Sequence, residues 1–155
     1  MIRAISIRAY LFVVCVVYVL SYTPGRAYQS DNGNGTYNNP VLYADYPDPT
    51  ICRAGSDFYL VSTTFADSPG MNVLHSKDLV NWEIVSHCAT NLDWSTSYNT
   101  MSGYLQGFWA GSIEYYNGTF YVLANPVGAN ARIYYATNAA GPWQYYQLNQ
   151  GAYDA

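Results

Sequence analysis

The sequence predicts an all-β fold of repeated four-stranded sheets, and two observations carry that prediction. The first is an internal repeat. Ile51-Cys52-Arg53-Ala54-Gly55-Ser56-Asp57-Phe58-Tyr59-Leu60-Val61 aligns with the stretch from Ile113 to Leu123 at an offset of 62 residues, which matches Phe58 to Phe120 and Tyr59 to Tyr121. Val73-Leu74-His75-Ser76 and Trp82 align with Tyr134-Tyr135-Ala136-Thr137 and Trp143 at an offset of 61. The second observation is the punctuation. Gly55-Ser56, Ser76-Lys77-Asp78, Asn117-Gly118 and Ala140-Gly141-Pro142 are hairpin turn signals between strand-like runs. Few windows show helical periodicity. Four-stranded sheets repeated at a long period are the mark of β-propeller blades.

The elements follow in order. Four strands are predicted near residues 50–54, 57–65, 71–76 and 82–88, and four more near 110–116, 119–125, 131–137 and 143–148. Residues 89–108 lengthen the link between the two units and read as a surface insertion. Trp82 and Trp143 occupy the same place in both units, so both are assigned to blade packing. Two units fit before Ala155, whereas propellers have about 4–8 blades. The chain therefore reads as the N-terminal part of a larger propeller, cut at the start of a third blade.

Residues 1–27 read as a signal peptide. Arg3 and Arg8 form a basic start, Ala9 to Tyr22 is apolar, and Gly25-Arg26-Ala27 offers small residues for cleavage after Pro24. The run is short for a membrane span, which needs about 20 apolar residues, although an uncleaved anchor is the alternative. The expected location is extracellular, with no membrane association after cleavage. Residues 28–38 are rich in Ser, Asp, Asn and Gly and read as a flexible lead-in to a domain over 39–155. Removing residues 1–27 takes away Arg3, Arg8 and Arg26 and no acid, so the net charge moves from −4 to −7. Such an acidic chain is a poor partner for nucleic acid. The 18 tyrosines and 4 tryptophans of the full sequence suit a protein that handles neutral, hydroxyl-rich ligands. Asn34-Gly35-Thr36 and Asn117-Gly118-Thr119 are glycosylation sequons in a eukaryotic host.

Cys52 and Cys88 remain after cleavage. They fall on the first and fourth strands of one predicted sheet, about 14 Å apart at three strand spacings. A disulfide needs Cα atoms within about 7 Å, so both are expected to be free. His75 and His87 stand isolated in the sequence and read as structural. No His/Cys cluster has metal-ligand spacing, and no cofactor or metal is called for.

The run with the most chemistry is Asn39-Pro40-Val41-Leu42-Tyr43-Ala44-Asp45-Tyr46-Pro47-Asp48-Pro49-Thr50. It sets Asp48 between two prolines at the mouth of the first strand. Proline fixes its own φ and drives the preceding residue toward extended geometry, so Asp48 is expected on stiff, extended backbone. A base needs rigidity, because a misplacement of about 1 Å costs ~100-fold in rate. Asp45, two residues before Pro47, is a turn residue and a minor competitor.

These residues resemble glycoside hydrolase family 43, five-bladed propellers that include β-xylosidases and α-L-arabinofuranosidases. The resemblance runs from Asn39 to Ala155. It rests on Asn39-Pro40-Val41-Leu42, Tyr46-Pro47-Asp48-Pro49, Ser62-Thr63-Thr64-Phe65 with Ser68-Pro69-Gly70, and His75-Ser76-Lys77-Asp78-Leu79-Val80-Asn81-Trp82. Gly107-Phe108-Trp109-Ala110 and Gly118-Thr119-Phe120-Tyr121 complete it. The resemblance implies that Asp48 is the general base. It implies that Asp154, in the tail Gly151-Ala152-Tyr153-Asp154-Ala155, tunes the pKa of the acid. The general acid itself, a Glu on a later blade, has no counterpart here, and Glu83 and Glu114 read as solvated strand charges. Trp109 and Phe65 match positions that wall the sugar pocket, with blade core as the competing role for each. Departures include Trp109-Ala110-Gly111, where many relatives have Trp-Ala-Pro, and Ala66-Asp67-Ser68, where many xylosidases carry an aromatic residue.

The expected activity is inverting, exo-acting hydrolysis of xylan, arabinoxylan or arabinan, in which one carboxylate activates water and a carboxylic acid protonates the leaving oxygen. The 155-residue chain itself is expected to be inactive. The rival reading is a carbohydrate-binding or pseudoenzyme propeller that holds sugar without cleaving it.

Overall fold

The structure is a computed structural model that describes residues 28–97 and 102–153. It contains two four-stranded antiparallel sheets. The first runs β1 Thr50–Ala54, β2 Asp57–Val61, β3 Gly70–Ser76 and β4 Glu83–Ala89, in that spatial order. The second runs β5 Phe108–Tyr116, β6 Thr119–Pro126, β7 Arg132–Ala136 and β8 Gln144–Gln147. The all-β expectation and the two repeated blades hold. The repeat holds in register as well: Phe58 faces Arg53 across the first hairpin, and Phe120 faces Tyr115 across its counterpart. Gly55 and the Asn117-Gly118 pair have positive φ, as tight hairpins of this hand require.

The core lies between the blades. Cys52, Val61, Val73 and Cys88 from the first sheet meet Phe108, Ile113, Phe120, Val122 and Tyr134 from the second. Alternation along each strand puts these residues on one face. Full burial of each large apolar side chain contributes about 1.5–3 kcal/mol. Aromatic edges close the seam, with Tyr59 against Phe120 at 4.7 Å and Trp94 against Phe108 at 4.7 Å between ring centroids. Trp143 packs on the same core and donates its ring N–H to Ser86 Oγ across the blade junction, at 2.9 Å. Cys52 and Cys88 are buried free thiols, and β2 and β3 stand between their strands.

The end of the second strand and the linker depart from the expectations. The second strand, expected to reach residue 65, ends at Val61. Ser62 and Thr63 turn to bond the carbonyl of Pro47, and Thr64 forms a bridge with Phe108 of the other blade. The linker 89–108 is not confined to the surface. Leu92 is buried in the core, and Arg132, itself buried, reaches Asp93 at 2.8 Å and lies over the rings of Trp94 and Tyr145. Residues 28–38 close on themselves through a bridge between Asp31 and Tyr37, and Tyr28 stacks on Tyr43 at 4.4 Å. The proposed signal segment, residues 1–27, lies outside the described residues.

Candidate active site

Asp48 sits two residues before β1, and Trp109 is the second residue of β5. The Thr50 hydroxyl donates to the Gly111 carbonyl at 3.1 Å, which ties β1 to β5. Asp48 and Trp109 each lie two residues upstream of that tie. Both therefore stand at the N-terminal end of the two leading strands. Phe65, half-buried, joins the same end through its carbonyl, which accepts from Gly107 N–H.

Asp48 is exposed and has a φ of 48°. This corrects the expectation of an extended residue before Pro49. Asp is among the few non-glycine residues that tolerate the left-handed region. Here the neighbouring segment imposes it. The Pro47 carbonyl accepts the Ser62 hydroxyl at 2.6 Å and Thr63 N–H at 3.0 Å, so the peptide entering Asp48 is pinned from outside. Backbone in this region costs about 1–3 kcal/mol and persists where surrounding contacts over-determine it. The Asp48 carboxylate is oriented too: Thr63 Oγ1 donates to its Oδ2 at 2.7 Å.

Trp109 is 37% exposed, and its ring N–H donates to the Leu105 carbonyl at 2.9 Å. A cavity of about 170 Å³ opens beside it, walled by Asn125, Val127, Ala152 and Tyr153 among others. Tyr153 meets Trp109 edge-on at 6.2 Å between centroids. Asp48 and Phe65 are not among the residues that line this cavity. Trp109 faces open space as a sugar platform would, whereas Phe65 is tied by its backbone to the strand junction. The pairing of β5 with β6 is irregular between Trp109 and Ser112, as at a β-bulge, which re-aims side chains. Gly111 lies in that bulge, where a Cβ would come 2.5 Å from the Leu123 carbonyl oxygen. That close approach leaves no room for a side chain at this position. Asn125, the strand partner of Trp109, bonds the Ala110 carbonyl through its side-chain amide.

Asp154 lies outside the described residues. Among the described residues, no group of three or more His, Cys, Asp or Glu is arranged to hold a metal ion. Glu114 is exposed on β5. Glu83 is not merely solvated: His75 bridges Asp57 at 2.6 Å and Glu83 at 3.2 Å across β2, β3 and β4. The hydrogen bond that His75 donates to Asp57 raises the pKa of His75 above its ordinary value, and the same bond lowers that of Asp57. Sequence reading assigned no role to Ser62, Thr63 or Asn125. The first two stood in a recognised motif, but nothing in their spacing tells that they reach back to residues 47 and 48.

Comparison with known proteins agrees with this architecture. The family model described as glycosyl hydrolases family 43 matches residues 37–153. A beta-xylosidase of Formosa agariphila is 41% identical over 115 residues, covering 73% of this chain and 19% of that protein. A non-reducing end alpha-L-arabinofuranosidase of Bacteroides ovatus is 40% identical over 114 residues, covering 70% of this chain and 21% of that protein. The chain thus spans about a fifth of the length of these relatives. Among solved structures, a xylan beta-1,4-xylosidase from Bacillus halodurans superposes with a TM-score of 0.61 at 34% identity, over 75% of this chain and 24% of that one.

Proposed function

The chain belongs to glycosyl hydrolase family 43, and from that membership we propose that it is the N-terminal part of an exported, exo-acting, inverting glycosidase of plant cell-wall polysaccharide. The complete protein is then a five-bladed propeller of which residues 39–155 form about two blades, and residues 1–27 direct export. Asp48 is the general base. It takes a proton from water as the water oxygen attacks the anomeric carbon. The glycosidic C–O bond breaks, and a carboxylic acid elsewhere in the complete protein protonates the leaving oxygen. Asp154 adjusts that acid, and Trp109 and Phe65 hold the sugar.

One observation carries the reading: a carboxylate held in left-handed backbone between two prolines and oriented by a buried hydroxyl. Substrates are xylan, arabinoxylan or arabinan chains. Relatives named for xylosides and for arabinofuranosides match this chain at nearly equal identity, so both sugars stand. The test is to assay the protein from the complete coding sequence on aryl β-xyloside and aryl α-L-arabinofuranoside, following the released anomer by proton NMR. Release of the inverted anomer from either substrate is expected. Binding without turnover would instead establish a carbohydrate-binding propeller, and release of the retained anomer would overturn the role given to Asp48.

A further inference from the structure

We propose that Thr63 is the positioning residue of the catalytic base: its hydroxyl holds one oxygen of the Asp48 carboxylate and presents the other to the attacking water. The inference rests on the reading of Asp48 as the base.

Thr63 is 4% exposed, yet its Oγ1 donates to Oδ2 of an exposed carboxylate at 2.7 Å. A hydroxyl has one proton to give, so it engages one carboxylate oxygen and leaves Oδ1 open. A hydrogen bond to an ionised acceptor is roughly twice as strong as a neutral one. An exposed Asp would otherwise sample several rotamers. The donor itself cannot drift. Thr63 is β-branched and stiff about χ1. Its own N–H is bonded to the Pro47 carbonyl, and the next residue, Thr64, is bridged to Phe108. One short segment therefore grips both the peptide that enters Asp48 and the side chain that leaves it. The two grips are separable. The structural one uses the Thr63 backbone and the Ser62 hydroxyl, and both survive a change of the Thr63 side chain.

The experiment uses the complete protein and an activated aryl glycoside, with kcat and KM measured for wild type, Thr63→Val, Thr63→Ser, Asp48→Ala and the Thr63→Val/Asp48→Ala double variant. Thr63→Val is expected to lower kcat about 10-fold or more with KM within about twofold. Thr63→Ser should restore most of the loss. On the Asp48→Ala background, Thr63→Val should change turnover by less than about twofold, because no carboxylate remains to be positioned. If Thr63→Val does not fold, Thr63→Ala takes its place in the same cycle. Wild-type kcat in Thr63→Val (or in Thr63→Ala where that replaces it), or an equal loss with and without Asp48, overturns the positioning role while leaving the base assignment standing. Near-normal turnover of Asp48→Ala overturns the base assignment, and the role of Thr63 with it.

Discussion

A carboxylate between two prolines is a short signal, and Asp48 shows what such a signal does and does not specify. The prolines predict stiffness, and three hydrogen bonds hold the Pro47 carbonyl and the Asp48 carboxylate in place. They also predict extended backbone, and the residue instead has a φ of 48°. The reason lies in chain remote from the motif: Ser62 and Thr63 hold the Pro47 carbonyl and select a conformation that local preference disfavours. In the complete protein, Asp48→Asn is expected to lower kcat by at least ~100-fold while the thermal midpoint stays near that of wild type. Near-normal turnover in that variant sinks the assignment. Trp109 was legible as an aromatic in a motif. Its exposure beside a cavity depends on the bulge at Gly111 and on the side chain of Asn125, which adjacent strands supply.

Strand boundaries follow the turn residues closely, because Gly55-Ser56 and Asn117-Gly118 leave few other hairpin geometries. The exception is the end of β2, where pairing changes from the home blade to β5. Gly107 marks that junction. A Cβ there would lie 2.5 Å from the Thr64 carbonyl oxygen and 2.6 Å from that of Phe65. Gly107→Ala is therefore expected to destabilise the complete protein by about 1–3 kcal/mol, read as a lowered denaturant midpoint with an unchanged slope. Cross-strand pairing also explains why His75 looked isolated. Its partners are 18 residues before it and 8 after, and only the sheet register assembles them. His75 is raised, so its contribution to stability is full below its unfolded value of about 6.5 and is lost as pH rises through its folded value. Asp57 is lowered, so its contribution is present above its unfolded value and lost as pH falls through its folded one. The difference in thermal midpoint between wild type and His75→Gln should accordingly be larger at about pH 5.5 than at about pH 9. A difference independent of pH would show that the bridge is not titrating.

At the scale of the whole molecule, the core faces inward between the two blades and the outer faces remain apolar. Ile51 and Ile84 on the first sheet are half-exposed, as is Tyr146 on β8. On the second sheet, Leu123, Ile133 and Tyr135 are only half-buried. Repeat architectures draw stability from such faces only when a neighbour covers them, and generally need three or more units. Residues 28–155 expressed alone are therefore expected to unfold without a single cooperative transition and to turn over neither aryl glycoside. A cooperative transition accompanied by turnover would show that two blades suffice and that the acid lies within this chain.

By itself the sequence determined the class of fold, the number and order of strands, the turns that join them, the family, and the carboxylate proposed as base. Each of these depends on residues close in the chain: the alternation of strand faces, the backbone freedom of Gly and Asn, the ring of proline. Only the tertiary structure decided the left-handed set of Asp48, the grip of Thr63, the outward aim of Trp109, and the gathering of Asp57, His75 and Glu83. These require segments that meet only when the strands pair and the blades pack. Hydrogen bonds and close contacts of that kind fall off within a few ångströms, so one sequence shows who could take part but not who meets.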